Sequence, residues 1–197
     1  MSSARKDSLR PRPERRAGPR PRDDAIILYS VGRTIPRCDR AELELLLDQF
    51  HADADLQEMC QLSHSNAVLF MTLEISEHHN QRYIARIDVP PGTLLAVYCG
   101  SLEKFAAGVQ DTLCLSMHMG SLVFPYELFV DGTPQPGDCR PGRMQLVNHA
   151  CAPYHNAECE EWICPTTGLQ AYFLRSSRAL PGIRQGTEIR FPYQEVT

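Results

Sequence analysis

The chain has 197 residues and no run of eighteen apolar ones, so the sequence predicts no membrane-spanning helix and no membrane partner. Its first residues carry no apolar core of the type that directs secretion. A nuclear or cytoplasmic place is therefore expected, not a secreted one. None of the eight cysteines (Cys38, Cys60, Cys99, Cys114, Cys139, Cys151, Cys159 and Cys164) forms a C-x-x-C pair. Without a secretory leader, a disulfide framework is not expected. Cys151, Cys159 and Cys164 are spaced to hold a metal only if His149 or His155 joins them; the alternative is free thiols packed as small apolar groups. No internal repeat is present.

The composition, 43% hydrophobic and 22% charged, is that of a globular chain long enough for one real core. The charge is divided. Residues 1–22 hold eight Lys/Arg against two acids, or +6; residues 23–197 hold twelve against twenty-two, or −10. The first segment, rich in Arg and Pro, cannot bury enough apolar surface to offset its chain entropy and is predicted to be disordered. Such a tail could make weak contact with nucleic acid, and the acidic remainder could attract a basic protein. The alternative is a solvated surface and a solvated end.

Beyond the tail, AIILYSV (25–31) has strand character. Asp39 with Glu42 three positions on reads as a capping box, followed by a helix to about position 51, and a second helical piece is predicted over 53–61. From Ala67 the pattern changes to short β-rich runs: AVLFMTLEI, RYIARIDV, TLLAVYCG, LCLSMHM, SLVFPYELFV, ECEEWIC, LQAYFLRS and TEIRFPY. Gly and Pro punctuate them. The expectation is a tail over 1–22, a helical flank over 23–66 and a mostly β (α+β) domain over 67–197.

Three segments of that domain follow a recognisable order. RIDVPPGTLLAVYCG (86–100) ends in Tyr98-x-Gly100. LVNHACAPYHNAE (146–158) contains Asn148, His149, Cys151 and Pro153. ALPGIRQGTEIRFPY (179–193) contains Ile183, Gly186, Glu188, Ile189 and Tyr193. Together they resemble the SET-domain family of protein-lysine methyltransferases, over about positions 67–193. Each segment alone is a weak signal; the order and spacing carry the resemblance.

The resemblance implies a fold of several small curved sheets in which the C-terminal segment threads beneath the loop after Asn-His, forming a pseudoknot. It implies S-adenosylmethionine as cofactor and a protein lysine, of a histone tail or another basic protein, as acceptor. Carried over residue by residue, Tyr193 is the catalytic tyrosine and Tyr98 lines the lysine channel. Asn148 and His149 hold the cofactor, with Arg82, Tyr83 and Ile84 in the strand beside its loop at 80–84. Phe191 lines the substrate channel, where Phe hints at di- or trimethylation; its other reading is a core strand residue. These residue types suit the chemistry. A lysine with an ordinary pKa near ~10.4 must become a neutral amine, which an apolar aromatic channel favours. Such a channel also aligns the amine for attack.

The chain departs from the pattern in places. Asn80-Gln81-Arg82 stands where the family has Gly-x-Gly, Ala150 replaces the signature serine, and Asn156 is displaced from its place after Pro153. Gln145 stands where an arginine is usual, and Pro192 precedes Tyr193 where an acid is common. Four residues follow Tyr193, so no zinc segment and no metal are implied. The competing reading is a SET-like protein-binding module without catalysis.

Overall fold

The computed structural model describes residues 25–75, 81–104, 114–117, 128–133 and 142–193. The expectations for the tail and for Asn80 lie outside them. The elements in order are β1 (Tyr29–Val31), α1 (Arg37–His51), α2 (Ala54–Phe70), β2 (Met71–Ile75), β3 (Gln81–Ala85), β4 (Leu94–Val97), β5 (Gly100–Lys104), β6 (Cys114–Met117) and β7 (Leu128–Asp131). A 3-10 turn (Met144–Leu146) precedes β8 (Asn148–His149), β9 (Ala157–Ile163), β10 (Gln170–Ser176) and β11 (Arg190–Phe191). The strands form four small sheets: β1-β5-β7-β6, β4-β10-β9, β11-β8 and β2-β3. Among the described residues, no helix is long and apolar enough to cross a membrane.

The helices correct the sequence reading in two ways. The capping box at Asp39 does not form: α1 begins at Arg37 with Pro36 as its N-cap, and no side chain caps it. Proline at 36 has no N–H to satisfy, and its carbonyl accepts from the amides of Asp39 and Arg40. The helix therefore starts earlier and leaves Asp39 in the first turn, where its charge favours the dipole. The second helix runs to Phe70, past the predicted end at 61. Asp53 caps it, its carboxylate accepting from the Leu56 amide at 3.0 Å. Leu56, Cys60, Ser63 and Ala67 form one buried face at helical spacing. The strand-like AVLF at 67–70 is thus helical, because packing on β4 overrides local propensity.

That packing explains how the edge of β4 is satisfied. Leu94, Leu95 and Ala96 are all buried. On one side β4 pairs with β10. On the other, Asn66 of α2 donates to the Leu94 carbonyl at 2.8 Å, and the Val97 amide donates to the Gly142 carbonyl at 3.1 Å. Gly142 has φ +74°, and a Cβ there would lie 2.5 Å from that of Ala67. Only glycine lets the chain pass so close to the helix at this point.

β1 is shorter than expected because the residues before it spend their polar groups elsewhere. Gln57 of α2 exchanges two hydrogen bonds with the backbone of Ile26. The amides of Leu28 and Tyr29 both point at Nε2 of His51, at 3.2 and 3.3 Å. Phe50 stacks on Tyr29 with centroids 5.6 Å apart. A fully buried Phe of this kind contributes roughly 1.5–3 kcal/mol. β1 then pairs parallel with β5, so the helical flank is joined to the strand-rich part through a shared sheet. Gly100, the glycine of Tyr-x-Gly, starts β5, and a Cβ there would meet the Asp131 carbonyl of β7 at 2.1 Å.

Candidate active site

β8 and β11 build the site. They pair parallel, with Asn148 opposite Arg190 and His149 opposite Phe191, so segments more than forty positions apart lie side by side. On its other flank the C-terminal segment bridges β3: Ile84 faces Glu188, and the Ile189 amide donates to the Tyr83 carbonyl at 2.8 Å. Asn156 closes the far end of the loop after β8. Its Nδ2 donates to the Glu188 carbonyl at 2.8 Å, and its Oδ1 accepts from the Arg190 amide at 2.9 Å. The C-terminal segment thus runs between β3 and the 148–156 loop, the arrangement the expected threading requires.

His149, Phe191 and Tyr193 meet here, with Asn148 next to His149 on β8. The Tyr193 ring lies 5.0 Å from both the His149 and the Phe191 rings. Tyr193 is held at two points. Its amide donates to Nδ1 of His149 at 2.8 Å, and its hydroxyl donates to the Val147 carbonyl at 2.7 Å. Because Nδ1 accepts, a neutral His149 carries its proton on Nε2, which faces the Cys151 sulfur at 3.1 Å. Burial pushes the Tyr193 phenol up, so it stays neutral. With its proton committed to Val147, the Tyr193 oxygen keeps lone pairs that can accept, and the residue remains 42% exposed.

A polar cluster sits beside the rings. Nδ2 of Asn148 donates to the Gln81 carbonyl at 3.1 Å and to Glu188 at 2.8 Å. Arg190 also bonds Glu188. Burial alone would push the Glu188 carboxyl up; hydrogen bonds from Arg190 and Asn148, with the charges of Arg190 and Arg82, outweigh it and hold the carboxyl below its ordinary value. The site therefore offers an anion that Asn148 and the Arg190 guanidinium hold in place.

The other sequence-predicted residues are placed less directly. Arg82 crosses the β2–β3 hairpin to pair with Glu74 at 3.0 Å, so its bulk is directed along the hairpin. Both side chains are near half exposed, and such a pair contributes about 0–1 kcal/mol. Tyr83 is buried, and its hydroxyl accepts from the Arg143 amide at 3.3 Å; burial raises its phenol and that amide bond partly offsets the rise. Ile84 faces the C-terminal segment. Tyr98 lies in the core after β4, its amide donating to the Tyr172 carbonyl at 2.8 Å. Phe191 is only 8% exposed and belongs to the core as well as to the ring cluster.

Sequence reasoning passed over two residues that hold the site. Asn156, which reads as displaced from its place in the signature, binds the C-terminal segment with both ends of its carboxamide. Glu188 reads only as a motif match and proves to anchor Asn148. Gln145, standing where an arginine is usual, donates to the Cys99 carbonyl at 3.1 Å. It lines a cleft of about 510 Å³ between β1, β5 and the end of β7, which none of Asn148, His149, Phe191 or Tyr193 borders. Of the cysteines, Cys60, Cys99 and Cys164 are buried, while Cys38 and Cys151 are exposed.

No protein-family model matches the chain, and no curated protein matches it in sequence. Among solved structures, ATXR5 in complex with mono-methylated histone H3.1 is similar over 86% of this chain and 80% of that one, with a TM-score of 0.52 at 13% identity. The ATXR5 SET domain with di-methylated histone H3 is similar over 64% of this chain and 59% of that one, with a TM-score of 0.48 at 14% identity. The methyltransferase domain of human PR domain-containing protein 2 is similar over 66% and 80%, with a TM-score of 0.47 at 16% identity. At such identities the likeness bears on architecture, and the architecture of this chain is a SET-like fold.

Proposed function

We infer that the protein transfers a methyl group from S-adenosylmethionine to a lysine of a protein. The observation that carries this reading is the β8–β11 pairing, which sets His149 against Phe191 and Tyr193, and Asn148 opposite Arg190. The SET-like fold supports it, as does the likeness to ATXR5, whose structure is a complex with histone H3.1.

The residues suit the cofactor. Its amino-acid end carries both charges, and the Glu188–Arg190 pair offers both signs. Asn148 and His149 would hold it, with the Arg82–Ile84 strand alongside. Bound there, S-adenosylmethionine supplies an activated methyl on a sulfonium. The chain's own part is orientation and proton control. Tyr193, its O–H donated to Val147, accepts a hydrogen bond from an incoming amine and so directs the amine lone pair. The aromatic rings of Phe191 and Tyr193 make a charged ammonium costly and favour the neutral nucleophile.

A second reading has its own observation. Both hydrogens of Asn148 Nδ2 are committed to Gln81 and Glu188, and Arg82 stands where the resemblance expects a glycine. That favours a SET-like module that binds protein without catalysis. Calorimetric titration with S-adenosylmethionine separates the two. Under the enzymatic reading, binding is saturable and weakens at least tenfold in His149→Ala. Under the binding-module reading, millimolar cofactor produces no heat beyond dilution.

A further inference from the structure

The exposed apolar side chains of this protein are not evenly spread. Among the described residues, Val68, Leu69, Leu73, Ile75 and Ile87 are all well exposed, and they fall in the last turn of α2, in β2 and just after β3. β2 is itself an edge. It pairs only with β3, in a two-stranded sheet, and its alternate positions carry Leu73 at 39% and Ile75 at 64% exposure. An open strand edge bearing apolar side chains is a template for another strand.

The hydrogen-bond directions show which groups of β2 are open. On β3, the Ala85 amide donates to the Thr187 carbonyl and the Tyr83 carbonyl accepts from the Ile189 amide, both in the C-terminal segment. The Arg86 amide donates to the Phe70 carbonyl on the opposite side. The N–H and C=O of one strand residue point to the same edge, so Tyr83 and Ala85 turn away from β2 while Ile84 and Arg82 turn towards it. Their partners Thr72 and Glu74 therefore bond β3, and the backbone groups of Met71, Leu73 and Ile75 point to the open edge. The Met71 amide is taken by the Ala67 carbonyl of α2. Among the described residues, nothing accepts from the amides of Leu73 and Ile75.

We propose that this edge is the interface of a homodimer, in which β2 of two copies pairs antiparallel about a two-fold axis through Leu73. The inference stands apart from the methyl-transfer reading. In this register Leu73 and the partner's Leu73 exchange both of their hydrogen bonds, and each Ile75 amide donates to the other copy's Met71 carbonyl. Every one of these bonds uses a group that already points to the edge. The exposed Leu73 and Ile75 side chains come to lie beside the partner's Leu73 and Met71, on one face of a sheet running β3-β2-β2-β3. Charge selects the same register. It sets Glu74 opposite the partner's Thr72, whereas an axis through Glu74 would set the two Glu74 carboxylates directly across from each other, a destabilising pair. The strand is thus complementary to itself, which is why a second copy, and not an unrelated strand, is the occupant.

The test is sedimentation equilibrium of the full chain from about 1 to 100 µM, with amide exchange followed over the same range. The expected result is a mass that rises from one chain towards two. The amides of Leu73 and Ile75 should gain protection with concentration while those of β10 do not change. Two variants at the exposed Thr72 then test the register. Thr72→Glu faces the partner's Glu74 twice and should weaken association roughly threefold or more, while Thr72→Arg should strengthen it. Urea unfolding of each variant checks that the single chain keeps its stability. A single-chain mass at every concentration overturns the proposal and leaves the edge to a strand of another protein. A dimer that gains no protection at Leu73 and responds to neither Thr72 variant overturns it as well, because its interface then lies elsewhere.

Discussion

Stability should fall as pH drops from 7 to 5, and one buried imidazole should account for most of the loss. His51, at the end of α1, is 3% exposed, and Nε2 accepts from the amides of Leu28 and Tyr29. Burial lowers its pKa from 6.5 to about 4. The unfolded chain therefore binds a proton near pH 6.5 that the folded one refuses until about 4, and stability is lost through that window on acidification. Each pH unit between the two values is worth about 1.4 kcal/mol, so the full loss below pH 4 is about 3 kcal/mol. Between pH 7 and 5 the share is about 2 kcal/mol. The carboxylates Glu103, Glu160 and Glu188, whose values are all lowered, contribute stability that disappears mainly at more acid pH. The window from 7 to 5 thus isolates the imidazole. Urea titrations at pH 5, 6 and 7 on the wild type and His51→Gln measure it. Gln keeps an acceptor for the two amides but cannot be protonated in this range. The reasoning is refuted if the two proteins lose stability in parallel.

Under the proposed function, Tyr193→Phe should leave cofactor affinity within about twofold and lower the methyl-transfer rate by roughly a hundredfold or more, because it removes the hydroxyl to which that reading gives the orienting of the amine. Asp53→Ala should cost about 1 kcal/mol in urea unfolding through loss of the α2 cap. Gly142→Ala should cost about 1–3 kcal/mol from its left-handed backbone, plus the clash with Ala67, and the double variant with Ala67→Gly should recover only the clash. Asn156→Ala leaves the Arg190 amide and the Glu188 carbonyl without their partner, a loss of roughly 1–3 kcal/mol. Amide exchange should then rise along residues 188–191 more than in β10.

The parts of this fold legible in the sequence are those where local chemistry and tertiary placement agree. The Tyr98-x-Gly100 segment is one: the glycine is demanded by the close approach of β7. The Asn148-His149 and Tyr193 segments are another, since their backbones must pair as β8 and β11 whatever fills the loop between them. The extent of α2 was not legible, because AVLF carries strand propensity and becomes helical only against β4, a partner nearly thirty positions on. Nor was Asn156. A shift of its position looks like a lost motif on paper, yet the longer loop returns its carboxamide to the backbone of Glu188 and Arg190. A polar group at the closing point of a threaded segment is selected by where the loop ends in space, not by its count from Pro153. The same logic applies to Asn80-Gln81-Arg82. Two glycines would give backbone room, whereas here the Gln81 carbonyl engages Asn148 and Arg82 is carried off by Glu74. Whether that exchange preserves a cofactor site is therefore a question about Asn148 and Glu188 more than about the missing glycines, and Glu188→Gln addresses it. The substitution keeps the Asn148 bond while removing the anion paired with Arg190. Cofactor affinity that falls at least fivefold in Glu188→Gln means that the charge is part of the site; unchanged affinity means that Glu188 serves only to hold Asn148 in place.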